Sequence, residues 1–204
     1  CAVDAVFSIN TKYEAVKNII NKIEKSDAPL GSLVKFREWI DKNSSEKYFN
    51  HQKVAKELKI DILKDFIDVL LKPTYNFCDK KDFRHFIDDK KIEKDLKAIF
   101  GIGEVTISYF FMLVGDENSI KLDRHVKKFV SNGLGVKPVG TINEKFAFDT
   151  LKNILPELQK KYPKLTVTLR GIDYLIWNFQ RKKIKSVDYK KLVIIRTKSD
   201  NQEI

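Results

Sequence analysis

Residues 92–130 constrain the fold of this chain more than any other stretch, and read IEKDLKAIFGIGEVTISYFFMLVGDENSIKLDRHVKKFV. The spacing predicts a short amphipathic helix ending at Phe100 and a tight Gly101-Ile102-Gly103 turn. A second helix then starts near Glu104 and is almost wholly apolar through Tyr109-Phe110-Phe111-Met112-Leu113. The polar loop Gly115-Asp116-Glu117-Asn118-Ser119 leads to Lys121-Leu122-Asp123-Arg124-His125, which opens a third helix. Glycines two apart admit left-handed backbone angles and remove the side chains that block close approach. The first amides of the helix that follows have no partner within it and lie at its positive end. Such a turn suits one phosphate, and it equally serves as an ordinary corner between two helices.

With its extension, the stretch resembles the helix-hairpin-helix DNA glycosylase superfamily, the relatives of endonuclease III, the adenine glycosylase and the 3-methyladenine glycosylases. The residues that carry the resemblance are Ile99, Gly101, Ile102, Gly103 and Thr106 in the hairpin, then Leu122, Asp123, His125 and Val126 about twenty residues later. The resemblance implies an all-α protein, a two-lobed orthogonal helical bundle with the hairpin at its centre. It implies double-stranded DNA as the partner, contacted through Gly101, Ile102, Gly103, Val105 and Thr106. It implies Asp123 as the catalytic residue. The backbone carbonyls of Lys97, Ile99 and Ile102 would hold a monovalent cation, sodium or potassium, and no cofactor is otherwise required.

Breaking a glycosidic bond to a base builds positive charge on the sugar, which a fixed carboxylate beside the anomeric carbon stabilises. Asp123 is the one residue nominated for that work. Lys121, Arg124 and Lys127 and the helix dipole are expected to keep it ionised. Capping the third helix is the plainer use of the same aspartate, and the two are compatible. Family members that also cut the strand carry a Schiff-base lysine just before the hairpin threonine. Val105 occupies that position here, so a monofunctional hydrolase is expected.

The chain departs from the family in three respects. It has Phe100-Gly101 for the usual Pro-Gly, and Glu104 where a basic residue or proline is frequent. The Gln-bearing segment that shapes the base pocket has no good counterpart, Asn43-Ser44-Ser45 being the nearest polar run. A non-catalytic helix-hairpin-helix DNA-binding protein is therefore the alternative.

Charge is compatible with either. Lys and Arg number 39 against 28 Asp and Glu, a formal balance of +11, which suits a polyanionic partner or a lysine-rich soluble surface. Only Cys1 and Cys78 are present, so neither a disulfide framework, a cysteine zinc site nor the family's iron–sulfur loop can be built. The three histidines, His51, His85 and His125, fall in dissimilar segments and do not suggest a metal site. No window is long and apolar enough for a membrane helix, the first residues do not read as a signal peptide, and a cytoplasmic monomer is expected.

Elsewhere the periodicity predicts helices over 11–25, capped by Thr11 with Ala15, Ile19, Ile20 and Ile23 inward, and over 32–42, with Leu33, Phe36, Trp39 and Ile40 inward. Further helices are expected over 51–59, 60–71 (halted by Pro73) and 82–88. Tyr75 and Phe77 are read as loop anchors or as base-stacking groups. Residues 131–140 read as a loop. Thr141 and Glu144 resemble a capping box opening a long helix toward Lys161, which Pro156 kinks or splits. A last helix spans 168–183, a short strand 187–196 and a frayed tail 198–204. About nine or ten helices and little sheet is the expectation.

Overall fold

The apolar periodicities fold as helices almost throughout. The computed structural model describes residues 1–43, 46–75, 77, 90–136 and 141–182. The expectations for Cys78, His85, the helix over 82–88 and everything beyond 182 lie outside them. Ten helices and one two-stranded ladder make up the described residues, so the protein is all-α. The chain divides into two compact units, Cys1–Asp116 and Glu117–Ile204.

In the first unit, helices α1 (Ala2–Phe7), α2 (Tyr13–Glu24), α3 (Leu33–Asn43) and α4 (Glu46–Phe49) precede strands β1 (Lys53–Val54) and β2 (Glu57–Leu58). Helices α5 (Lys59–Leu70), α6 (Lys90–Lys97) and α7 (Glu104–Val114) follow. Helix α5 is the hub, with α1, α3, α6 and β2 packed around it. Phe66 of α5 and Phe110 of α7 meet edge to face at 4.9 Å between centroids. Each such fully buried ring contributes about 1.5–3 kcal/mol by leaving water. Trp39 is core, with its indole N–H donating to Asp27 Oδ1 at 3.0 Å. Tyr75 and Phe77 are both buried and stacked on each other, which is the anchoring use.

Two local expectations are corrected here. Thr11 does not cap α2, because Lys12 holds the cap position and gives no side-chain bond. The Thr11 hydroxyl is turned instead to the Ile9 carbonyl (3.1 Å) and to Gln52 Oε1 (3.1 Å). The helix expected over 51–59 is a tight antiparallel hairpin pairing Lys53 with Leu58 and Val54 with Glu57. Asn50 and Ala55 flank and turn it at φ of 47° and 51°, angles that a right-handed helix does not contain. Helix α1 had no counterpart in the sequence reading. Six residues carry too little periodicity, yet Ala5, Val6 and Phe7 are all buried against α5 and α7.

The hairpin is tied to α1 by Lys59, which is 1% exposed. Its ammonium donates to the Phe7 carbonyl at 3.0 Å and to Ile9 O, Thr11 Oγ1 and Gln52 Oε1. Burial pushes this lysine down to about 8. The four oxygens stand in for the water it has lost.

In the second unit, α8 (Arg124–Leu134) packs against both α9 (Glu144–Lys161) and α10 (Leu169–Lys182). Their core comprises Ile120, Val126, Val130, Ala147, Leu151, Leu169, Ile172 and Ile176. The loop expected from residue 131 starts later, because α8 runs through Gly133 and ends at Gly135, whose φ of 68° stops it. Asn143, not Thr141, caps α9, accepting the Phe146 N–H at 2.8 Å. Glu144 is thereby freed to pair with Lys127 at 2.7 Å. Helix α9 runs unbroken past Pro156, whose exposed position leaves the orphaned carbonyl to water. Thr168 starts α10 by accepting the Gly171 N–H at 3.0 Å.

Candidate functional site

In the first unit, the hairpin grows from the end of α6. The helix stops at Lys97, three residues short of the expected Phe100, and Ile99 O accepts the Ile102 N–H at 3.2 Å to close the turn. Gly101 has φ of 77°, the left-handed region, and a Cβ there would stand 3.1 Å from Val54 Cγ1. Ile102 plugs into the core at 6% exposure. Gly103 occupies the cap position of α7 with extended angles and open space around it. Its carbonyl accepts from Thr106 and Ile107, at 3.0 and 3.1 Å. The amides of Glu104 and Val105 belong to the first turn of α7 and have no intrahelical partner. Val105 and Thr106 are half-buried on that turn.

Glu104, whose charge would oppose a phosphate at these amides, is not left alone. Lys97 Nζ lies 2.9 Å from its carboxylate and 3.0 Å from that of Glu93. Hydrogen bonds to the two glutamates, Glu104 first, raise the lysine above its ordinary value. Both partners are largely exposed, so the pair contributes little stability, but it offsets the negative charge at the helix start. Phe100, beside Gly101, is 56% exposed. Of the three carbonyls expected to hold a cation, that of Ile99 already accepts one hydrogen bond, which leaves its second lone pair.

In the second unit, Asp123 is the cap of α8. Its Oδ1 accepts the N–H groups of His125 at 2.7 Å and Val126 at 3.2 Å. The capping role weighed from sequence is therefore present. Of the cations expected beside Asp123, Lys127 is engaged with Glu144 instead. Lys121 stands two residues before Asp123, and its carbonyl accepts the Asp123 N–H at 2.7 Å.

The sequence reading missed Asp173. It lies on α10 four residues after Leu169 and three before Ile176, both buried, so it occupies a position on the inward face. An aspartate at an apolar position of the periodicity was the overlooked signal. Its Oδ1 accepts the Lys121 N–H at 3.2 Å. Burial, reinforced by the charge of Asp123, pushes its carboxyl up to about 7 against the opposing effect of the Lys121 amide and ammonium. Two carboxyl groups in one environment, one of them carrying a proton near neutrality, make an arrangement able to do acid–base work.

A surface hollow of ≈ 620 Å³ on α9 is lined by Ile154, Glu157, Leu158, Lys160 and Lys161, none of which belongs to the groups above. Among the described residues no cluster of His, Cys, Asp and Glu is arranged for a metal ion, and no helix is long and apolar enough to cross a membrane.

A family model described as Domain of unknown function (DUF8548) matches residues 1–181. No curated protein and no solved structure matches the chain.

Proposed function

For a chain that belongs to the family described as Domain of unknown function (DUF8548), we propose a monofunctional DNA glycosylase that hydrolyses the N-glycosidic bond of a damaged or mispaired base. The observation that carries the reading is the Gly101–Gly103 turn, whose left-handed first glycine and open second glycine leave the first amides of α7 clear for a backbone phosphate. Gly101, Ile102, Gly103, Val105 and Thr106 form that contact in this reading. Asp123 stabilises the charge that develops on the sugar once the base has been flipped from the stack. One of its oxygens holds the two cap amides. Val105 cannot form an imine, so strand cleavage is not part of the activity. A monovalent cation on the carbonyls of Lys97, Ile99 and Ile102 would further offset Glu104. The protein is inferred to act as a cytoplasmic monomer on double-stranded DNA.

The second reading is a non-catalytic DNA-binding module built on the same hairpin. The observation in its favour is that Asp123 is already occupied as a cap.

Excision from duplexes each bearing one alkylated, deaminated, oxidised or mispaired base separates the two, with abasic sites revealed by hot alkali. Asparagine caps a helix about as well as aspartate, so Asp123→Asn removes the charge and keeps the helix start. Alkali-dependent cleavage by the wild type that disappears in Asp123→Asn is the expected result. Intact DNA binding without excision on any duplex would leave the binding module.

A further inference from the structure

Asp173 is a costly way to do a simple job. The Lys121 N–H needs one acceptor, and an asparagine carbonyl at the same position would supply it without bringing a second titratable group near Asp123. The turn it grips is short and held by hydrogen bonds at each step. From Asp173 Oδ1 the bonds run to the Lys121 N–H, from the Lys121 carbonyl to the Asp123 N–H, and from Asp123 Oδ1 to the amides of His125 and Val126. Any change in how Asp173 holds Lys121 therefore reaches the Asp123 carboxylate through two peptide groups.

We propose that Asp173 is the positioning residue for Asp123, acting through the backbone of Lys121. The proposal rests on the glycosylase reading. Asp173 sets where the Asp123 carboxylate stands, and its proton decides whether that carboxylate faces a neutral neighbour or a second negative charge. The charges acting on Asp173 are those of Asp123 and Lys121. On the elements packed against α10, Lys127 of α8 is paired with Glu144 of α9, Arg124 is exposed, and His125 is half-buried at the start of α8. On α10 itself Arg170 is paired with Glu117 at 3.2 Å. Burial holds the proton on Asp173 up to about pH 7, so around neutrality the wild type changes from one to two carboxylate charges at this turn.

The test compares wild type, Asp173→Asn, Asp173→Glu and Asp173→Ala in single-turnover excision across pH 5.5–9 (about the range where the group titrates), together with duplex binding and thermal melts. Asp173→Asn keeps the acceptor and loses the titration. It is expected to melt no lower than wild type and to bind duplex equally. Its excision profile should lose the inflection near neutrality. Asp173→Ala, which frees the turn, should lower the excision rate roughly a hundredfold with binding unchanged, the scale of a misplaced reacting group. Asp173→Glu, with the carboxyl restored on a longer stem, should regain the inflection.

An Asp173→Asn enzyme whose rate and pH profile match wild type would overturn the proposal and leave the glycosylase reading standing, with Asp173 reduced to a hydrogen-bond acceptor. A wild type that excises nothing from the full panel overturns the glycosylase reading and this proposal with it.

Discussion

Gly101 and Val54 meet so closely that a Cβ on the glycine would stand 3.1 Å from Val54 Cγ1, while the glycine itself sits at φ of 77°. The turn that presents the α7 amides is thus locked from two sides, by its own backbone angle and by the strand hairpin beneath it. Gly101→Ala is expected to cost about 1–2 kcal/mol from the left-handed angle alone, read as a lower urea midpoint. Gly103→Ala, at φ −113° with open space around it, should cost less than about 1 kcal/mol, the difference between glycine and alanine at a helix start. Equal losses at both positions would mean that the turn is not held as described.

Glu104 is the residue that most opposes a phosphate at the hairpin. Glu104→Gln should weaken the start of α7 by about 0.3–1 kcal/mol, release Lys97 from one of its two partners, and tighten binding to a short duplex. Fluorescence anisotropy at two salt concentrations reads the change, since phosphate neutralisation makes affinity fall with salt. An affinity that does not move would take the hairpin out of contact with DNA.

Asp123 does structural work whatever else it does. Asp123→Ala removes the acceptor for the His125 and Val126 amides and should destabilise the second unit by about 1 kcal/mol. Asp123→Asn should cost only a few tenths at most (about 0.3 kcal/mol). Chemical unfolding of the two variants checks the order, and it also licenses the asparagine as the clean test of charge.

Lys59 satisfies the carbonyls of Phe7 and Ile9 with one buried ammonium. Lys59→Met fills the space but takes the ammonium away from the Phe7 carbonyl and leaves the Thr11 hydroxyl alone to serve Ile9 O and Gln52 Oε1. A loss of about 1–3 kcal/mol per stranded group, partly relieved by entering water, makes this among the more damaging single changes. A methionine variant as stable as wild type in urea would show that the lysine is dispensable to the packing of α1.

The pH dependence of stability should carry the mark of Asp173. Its folded value, about 7, lies above its ordinary one near 3.8. A folded state that holds its proton more tightly than the unfolded chain gains stability at low pH. That contribution is complete below about pH 3.8 and is lost as pH rises through 7. Asp173→Asn should abolish this fall and be the more stable protein above pH 7, by an amount on the order of a few kcal/mol. Melting curves of the two proteins from about pH 4 to pH 8, which span the loss, decide it, and parallel curves would sink the assignment.

The sequence by itself determined the all-α class, the extents of α2, α3, α5, α7, α9 and α10 to within a few residues, most of the inward residues of α2 and α3, and the glycine turn ahead of α7. These are local properties: periodicity of apolar side chains, and the angles that only glycine takes without strain. It also offered Asp123 as a helix cap, because the capping bond runs only two and three residues forward. Tertiary structure decided what local pattern leaves open. Residues 51–58 became a strand hairpin because Lys59 and Val54 are claimed by partners from distant parts of the chain, the Phe7 carbonyl and Gly101. Asn143 displaced Thr141 as the cap of α9, and Glu144 turned to Lys127, seventeen residues away. Asp173 stayed hidden for the same reason, since its partner Lys121 lies fifty-two residues earlier. Burial and charge from such distant groups set its proton affinity, and only the folded chain brings them together.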